Sequence, residues 1–294
     1  MAAERENRAY LPGVRLPDGL AVTADLESAL AGARVVVMVP ISAGLRELAR
    51  SVAPLIDSGT VVVHGSKGFE PETLRLASAV VEEELGPRFA GRVAALSGPT
   101  HAEEVARGVP SAAVVACPEL EVAAALQRAL GGTTFRLYTN ADRTGVELCG
   151  ALKNVVALAA GASDGLGYGD NTKAALITRG LAELGRLVAA LGGQPTTVSG
   201  LAGLGDVVGT CTSRHSRNRW AGEQLGRGRS LAEVLASRPQ VIEGVPATRA
   251  ALALGQRTGV ELPIAEQVYA VLFEGRAPQE ALAALMGREL GPEG

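Results

Sequence analysis

The sequence of 294 residues predicts an α/β domain with a doubly wound parallel sheet, followed by an all-α domain. Up to Asn140, short apolar strand patterns alternate with helical stretches of about 8–15 residues, which is typical of a parallel sheet covered by helices. After Asn140, helical patterns continue without a convincing strand pattern. This change predicts two domains, residues 1–140 and residues 141–294.

The first domain contains one apolar run that reads as a strand buried on both faces. Arg34–Val39 has the sequence RVVVMV, without the alternation of a half-buried strand. Residues 1–20 read as a polar segment and a loop rich in Pro and Gly. Further strands are expected at residues 21–23, 61–64, 92–96, 112–116 and 135–138, and helices at 26–30, 44–53, 71–85 and 119–130.

The second domain is expected to be entirely helical. Helices are expected at residues 145–161, 172–191, 200–210, 217–225, 230–237, 245–258, 263–272 and 278–287. Within 172–191, apolar side chains recur at helical spacing, and Gly192 is placed to end that helix.

Composition excludes several classes of protein. Hydrophobic residues make up 47 % and charged residues 20 %, which is a globular composition. The net charge is −3 without a basic block, so no nucleic-acid partner is expected. The three cysteines, Cys117, Cys149 and Cys211, lack a CxxC spacing, which favours a reducing compartment and no metal site. No apolar run approaches the roughly 20 residues of a membrane span and the N-terminus is not a targeting signal, so a cytoplasmic protein is expected.

The stretch Val146–Gly180 places a single lysine, Lys153, in an apolar helical run. The neighbouring Asn154 is also polar, and the run is expected to stop at the Gly/Asp segment Gly161–Asp170. Two interpretations are open. The lysine lies at the edge of the helix with its amine in water, or it is held in a pocket for chemistry.

Two loops after strand ends carry residues suited to a ligand. Lys67 follows strand 61–64, and Gly98-Pro99-Thr100 follows strand 92–96. In open α/β sheets ligands bind outside the carboxyl ends of the strands. The alternatives are a solvated loop lysine and an ordinary strand-to-helix turn.

A third group of polar residues lies in the helical half. Gly203–Asp206 is followed by Thr210–Arg219, which holds three arginines, several hydroxyls and one asparagine. Guanidinium groups with hydroxyl and amide donors suit a phosphate dianion. A solvated basic face is the alternative interpretation.

Together these stretches resemble the bacterial NAD(P)-dependent glycerol-3-phosphate dehydrogenases. The resemblance runs from Asn7–Gly13 to the C-terminus, with characteristic blocks in order. They are KG at 67–68, SGPT at 97–100, GVELCGALKN at 145–154, GDNTKAALITRGLAE at 169–183, GLAGLGD at 200–206, CTSRHSRNR at 211–219 and VIEG at 241–244. The resemblance implies a Rossmann-like sheet domain and a helical substrate domain.

The implied reaction is reversible hydride transfer between a nicotinamide cofactor and C2 of dihydroxyacetone phosphate, giving sn-glycerol 3-phosphate for phospholipid synthesis. By resemblance, Lys153 is the general acid, with its pKa lowered by desolvation and nearby positive charge. Asp206 orients Lys153, Asn154 positions the substrate, and Lys67 lies near the same oxygen.

The resemblance also implies the binding residues. For the substrate these are Lys67, Gly98, Thr100, Lys153, Asp206, Ser216, Arg217 and Asn218. For NAD or NADP they are Lys67, Ala102, Arg217, Val241 and Glu243. A homodimer is the implied assembly.

One part of the family pattern is absent. Members open with a strand, a GxGxWG-type turn and a helix, and residues 1–60 contain no GxGxxG. Without the first strand, Arg34–Val39 is expected to lose a neighbour and to leave an apolar edge exposed. Three explanations are open: an internal start at Met1, which we favour, a truncated chain, or a genuine short form.

Two rival functions are weighed against the dehydrogenase. One is a hydroxyacid dehydrogenase of the 6-phosphogluconate type, against which the blocks 200–206 and 216–219 argue. The other is a catalytically impaired module for phosphate-metabolite binding or dimerisation. The choice between NAD and NADP is left open, because the residues that read the ribose follow the absent second strand.

Overall fold

The computed structural model describes residues 1, 3–238, 240–289 and 291. These residues form two compact units. The first comprises residues 1–70 and 75–143, and the second comprises residues 71–74 and 144–294. Each unit is described separately.

The first unit is an α/β unit built on a five-stranded sheet. Its strands, in the order β3-β4-β5-β6-β7, are β3 (Val35–Met38), β4 (Val61–His64), β5 (Val93–Ser97), β6 (Ser111–Ala116) and β7 (Phe135–Asn140). Its helices are α1 (Leu26–Leu30), α2 (Leu45–Val52), α3 (Ala77–Leu85), α4 (Ala102–Val105) and α5 (Leu120–Leu130). The predicted alternation of strands and helices is confirmed.

Helices cover both faces of this sheet. Val62 belongs to an apolar cluster that includes Leu45 of α2 and Val81 of α3. The next residue, Val63, belongs to a second cluster that includes Leu126 of α5. Because successive side chains of a strand point to opposite faces, one strand contributes to both cores. This is the reason that its sequence is continuously apolar.

The predicted parallel sheet is confirmed in the main, with one antiparallel pair of strands that was not expected. The strands β3, β4 and β5 are parallel to one another, but β6 runs antiparallel to β5, and β7 is parallel to β6. The reason lies in the connection. The connection between β5 and β6, residues 98–110, contains only the four-residue helix α4, whereas a parallel crossover is usually built on a full helix. The chain therefore enters β6 from the same end of the sheet at which it leaves β5.

β3 is an edge strand of this sheet. Val37 is 49 % exposed and Val39 is 67 % exposed, although both belong to the run that reads as a buried strand. The expected exposure of an apolar sheet edge at Arg34–Val39 is therefore confirmed.

Three predictions near the start of the chain are wrong. A two-stranded antiparallel hairpin, β1 (Glu6–Asn7) with β2 (Leu11–Arg15), replaces the expected loop. The expected strand at residues 21–23 is irregular. The helix expected over 71–85 begins only at Ala77, and Leu74 has a φ of 59°, which a helix does not allow.

The second unit is helical. Its helices are α6 (Arg143–Gly165), which starts at the unit boundary, α7 (Asp170–Ala190), α8 (Pro195–Val198), α9 (Asp206–Thr212), α10 (Arg217–Gly226), α11 (Leu231–Ala236), α12 (Gly244–Thr258), α13 (Pro263–Phe273) and α14 (Pro278–Met286). The expected helices are present with shifted bounds. α6 continues past Gly161 to Gly165, and the expected helix 200–210 is a π-helical turn (Leu201–Gly205) followed by α9.

Helix α6 is apolar and long enough to cross a membrane. However, 89 % of its most apolar stretch is buried inside the protein, as expected of a central core helix. It carries both Lys153 and Asn154, so it is the element around which the polar site of this unit is built.

Candidate active site

Lys153 is buried in the core of the helical unit. It is 7 % exposed, so the interpretation of an amine in water at the helix edge is wrong. Its Nζ lies 2.5 Å from Oδ1 of Asp206 and donates a hydrogen bond of 2.8 Å to Oγ1 of Thr210. A buried amine requires such partners, because a charge without them is costly to desolvate.

The turn before α9 determines where Asp206 points. Gly205 N donates to Gly200 O, five residues earlier, which closes a single π-helical turn. A side chain at Gly203 would overlap the carbonyl of Val198, so this tight turn requires glycine there. Asp206 then opens α9, and Thr210 lies one helical turn later on the same face. The block GLAGLGD thus forms the turn that presents the carboxylate to Lys153.

The two asparagines of the site contact each other. Asn218 Nδ2 donates to Asn154 Oδ1 at 2.8 Å, and Asn218 Oδ1 accepts from Gly244 N at 2.8 Å. Both side chains are buried. These bonds fix the orientation of both amides, and they bring three predicted blocks together: the lysine helix, the arginine-rich block and the block that contains Glu243.

Glycines allow α6 and α10 to approach closely. On α6, side chains at Gly161 and Gly165 would overlap the carbonyl oxygens of α10. On α10, side chains at Gly222 and Gly226 would overlap the carbonyl oxygens of Leu158 and Ala162 in α6. Each helix therefore presents a pair of glycines four residues apart to the backbone of the other. The predicted helix stop at Gly161 is wrong for this reason: the glycine serves the packing of the helix.

The arginines of the block 211–219 differ in their surroundings. Arg214 and Arg217 are exposed. Arg219 is 16 % exposed and lies 3.0 Å from Asp164 and 3.1 Å from Glu223. Ser216 is the N-cap of α10, and its Oγ accepts from Arg219 N at 3.1 Å. Arg217 is the exposed first residue of this ten-residue helix, at the end where backbone N–H groups favour an anion.

In the α/β unit, the two predicted loops contact each other. Lys67 Nζ donates to Gly98 O at 2.8 Å, and Thr100 Oγ1 donates to the same carbonyl at 3.2 Å. Gly98 has a φ of 134°, and a side chain there would lie 3.0 Å from Ala113 Cα, so the position requires glycine. Because β4 and β5 are parallel, these loops leave the same edge of the sheet. Ala102 follows as the exposed first residue of α4.

The remaining predicted residues stand before α12. Val241 is exposed, and Glu243 is the N-cap residue of α12 without a side-chain capping bond. Their assignment to the cofactor stays a prediction.

Thr210 is a site residue that the sequence interpretation did not assign. The signal was available, because Asp206 and Thr210 are four residues apart in a predicted helix and therefore share a face. Cys211, beside them, is buried, and burial raises the pKa of its thiol to about 12. It remains a neutral thiol at neutral pH and supplies no nucleophile. Among the residues that the structure describes, no group of three His, Cys, Asp or Glu side chains could hold a metal ion.

The α/β unit fits part of a dinucleotide. Gly98 packs closely against Ala113, and the loops that carry Lys67 and Gly98 leave the edge of the sheet at which α/β proteins bind ligands. The sequence has no Gly-rich turn to cradle a pyrophosphate in residues 1–60.

Comparison with known proteins agrees with this arrangement. A family profile described as "NAD-dependent glycerol-3-phosphate dehydrogenase N-terminus" matches residues 1–123, and the corresponding C-terminal profile matches residues 142–283. Glycerol-3-phosphate dehydrogenase [NAD(P)+] of Chlorobium limicola is 51 % identical over 290 residues, which cover 98 % of this chain and 87 % of the relative. The enzyme of Pelotomaculum thermopropionicum is 51 % identical over 284 residues, which cover 97 % of this chain and 81 % of the relative.

Solved structures give the same answer. The crystal structure of glycerol-3-phosphate dehydrogenase from Coxiella burnetii matches with a TM-score of 0.91 and 42 % identity, covering 98 % of this chain and 87 % of that chain. A ketopantoate reductase from Ralstonia eutropha, at 16 % identity and a TM-score of 0.52, shares the fold alone. The chain is thus an NAD(P)-dependent oxidoreductase with a Rossmann-like sheet domain and a helical domain. It belongs to the NAD-dependent glycerol-3-phosphate dehydrogenase family.

Proposed function

We propose that this chain interconverts dihydroxyacetone phosphate and sn-glycerol 3-phosphate with NAD(P)H and NAD(P)+, and that Lys153 is its general acid and base. The observation that carries the assignment of Lys153 is its burial beside Asp206 and Thr210. The family match supports the dehydrogenase and not the two rival functions. Supply of glycerol phosphate to phospholipid synthesis follows as the role of the reaction.

Reduction of the ketone requires a hydride at C2 and a proton at the carbonyl oxygen. The nicotinamide cofactor supplies the hydride when it is bound. As the new C–H bond forms, the electron pair of the C=O π bond moves to oxygen, and the Lys153 ammonium transfers a proton to that oxygen. In the reverse direction the neutral amine removes the same proton. Asp206 and Thr210 hold Nζ in place, so that no reorganisation of the amine is needed during the transfer.

The remaining polar residues bind the ends of the substrate. Ser216, Arg217 and the N-terminus of α10 suit the phosphate dianion, and binding of this remote group holds the carbonyl in place for reaction. The amides of Asn154 and Asn218 are fixed by hydrogen bonds and suit the substrate hydroxyl and phosphate. Lys67, Gly98 and Thr100 of the α/β unit stay predicted substrate residues on the strength of the family pattern.

For the cofactor, the family resemblance supports Lys67, Ala102, Arg217, Val241 and Glu243 as the binding residues. The proposal includes a homodimer and a cytoplasmic location, which are supported by the family resemblance and by the cysteine usage of the chain.

The test is the oxidation of NADH and NADPH that depends on dihydroxyacetone phosphate, followed by absorbance. Lys153→Ala should lower kcat by about 10²–10⁴-fold. Lys153→Arg keeps the positive charge but holds its proton too tightly to transfer it, so we expect the same loss. Thermal unfolding of all three proteins controls for folding. Wild-type turnover that survives in both variants would exclude Lys153 as the general acid. No turnover by the folded wild-type chain, even when extended by a Gly-rich βαβ segment of a relative, would contradict the proposed reaction.

A further inference from the structure

Arg219 makes contacts in three directions within the helical unit. Its Nε donates to Ser213 O at 3.0 Å, and its Nη1 donates to Asp164 Oδ2 at 3.0 Å and to Glu223 Oε2 at 3.1 Å. Asp164 in turn pairs with Lys173 of α7 at 2.7 Å. The Arg219 side chain is 16 % exposed, so these bonds form in a partly dehydrated environment. There they fix the position and orientation of the guanidinium.

These contacts fix the segment that leads into α10. The Ser213 carbonyl begins the turn, and the Oγ of Ser216 at its end accepts from the backbone N–H of Arg219. Residue 219 therefore holds both ends of the segment 213–216, one end through its side chain and the other through its backbone. Ser216 and Arg217, the residues proposed to bind the phosphate, lie at the end of this segment.

Asp164 connects this segment to the helix that carries Lys153. Both residues belong to α6, eleven positions apart, which corresponds to about 16 Å along the axis. α6 therefore holds the amine directly and the start of α10 through the pair of Asp164 and Arg219. The distance between a proton donor and a phosphate site must be constant if remote binding is to position the carbonyl.

We propose that Arg219 and Asp164 form a positioning pair, which keeps the phosphate-binding end of α10 in register with Lys153. This inference rests on the proposed function, since it assigns a role to residues that support the same site. Two arginines of the block 211–219 then have different roles. Arg217 is exposed at the helix start and contacts the ligand, whereas Arg219 directs its donors to the protein and acts through Ser213 and Ser216.

The test compares substrates with and without a phosphate. Arg219→Ala should raise the KM for dihydroxyacetone phosphate by about tenfold or more, with a smaller change in kcat, because misplacement of the site loses remote binding. The value of kcat/KM for dihydroxyacetone, which has no phosphate, should change by less than about twofold. Arg227→Ala is the matched control, since this exposed arginine is the C-cap residue of α10 and pairs with Glu223.

Asp164→Asn separates positioning from direct binding. If Arg219 acts through Asp164, Asp164→Asn raises the same KM, and the double variant is no worse than the worse single variant. Arg219→Lys should give an intermediate KM, because an ammonium reaches the carboxylate but cannot also bridge to the Ser213 carbonyl. If Arg219 is instead a direct phosphate ligand, Asp164→Asn leaves the KM unchanged or lowers it, and the proposal is overturned.

Two further measurements keep the test decisive. Calorimetric titration with sn-glycerol 3-phosphate makes the same comparison of variants without turnover, so it stands even if the reaction assay fails. Unfolding curves show whether a variant has lost its fold, in which case Asp164→Asn and Arg219→Lys carry the comparison. An active wild type whose Arg219→Ala variant keeps its KM and its affinity contradicts this inference and leaves the proposed function intact.

Discussion

Glu183 allows a prediction about stability that can be worked out from the structure. This carboxylate belongs to α7 and is 8 % exposed. It accepts hydrogen bonds from the backbone N–H groups of Ile264, at 2.7 Å, and Ala265, at 3.4 Å. The N-cap residue of α13, Leu262, offers no side-chain acceptor, so Glu183 caps α13 from a neighbouring helix. Burial nevertheless dominates and raises the pKa of Glu183 from 4.5 to about 7.

The sign of the effect follows from proton linkage. Between pH 4.5 and 7 the folded chain holds a proton on Glu183 that the unfolded chain has released. The free energy of unfolding therefore falls as the pH rises through this window. A difference of 2.5 pKa units at 1.36 kcal/mol each corresponds to about 3 kcal/mol. Above pH 7 the full cost of the buried charge is present, and below pH 4.5 it is absent.

Glu183→Gln removes the titrating group and keeps one carbonyl acceptor for the start of α13. We expect the difference in unfolding free energy, wild type minus variant, to decrease by about 3 kcal/mol from pH 4.5 to pH 7.5. Denaturant unfolding at five or six pH values measures it. Glu274→Gln removes an exposed carboxylate at the C-cap of α13 and controls for the change of net charge. A difference that is constant with pH, or that increases, would refute the reasoning.

Two other substitutions test the packing of the helical unit. Gly222→Ala places a methyl group against the carbonyl of Leu158 and should lower the free energy of unfolding by about 2 kcal/mol or more, measured by denaturant unfolding. Gly185→Ala, at a helical glycine with open space around it, should raise the free energy of unfolding by about 0.5–1 kcal/mol. Equal effects of the two substitutions would contradict the close contact of α6 with α10. Ser230→Ala breaks the capping box with Glu233 and should cost α11 about 1 kcal/mol, which the same assay resolves.

Much of the fold follows from hydrophobic periodicity. The continuous apolar run at 61–64 correctly predicts a buried strand, because Val62 and Val63 of β4 join cores on opposite faces of the sheet, whereas the similar run at 34–39 forms the exposed edge strand β3. Strand direction does not follow from periodicity, because parallel and antiparallel strands bury the same residues. The reversal at β6 follows a connection that contains only the short helix α4. A helix of four residues is too short to give a recognisable hydrophobic period in the sequence.

The candidate site could be predicted in its residue types but not in its contacts. The blocks around Lys153, Asp206 and Asn218 each carry polar residues in places that a core helix or an ordinary loop would not favour. Which of them meet depends on tertiary packing, and the pairs of Lys153 with Asp206 and of Asn154 with Asn218 join residues more than 50 positions apart. The contact between Asp206 and Thr210 is the one that the sequence could predict, because these residues are four positions apart in one helix.

Backbone geometry explains why these distant residues meet. A glycine contributes no side chain to a hydrophobic pattern, so in the sequence Gly161 and Gly222 read as breaks. In the structure they are the points where α6 and α10 touch, and this approach brings Asn218 to Asn154. Gly203 has the same role in the π-helical turn that aims Asp206 at Lys153. The chemistry of the helical unit thus depends on positions without side chains, and a substitution at one of them should disturb the site although it removes no polar group.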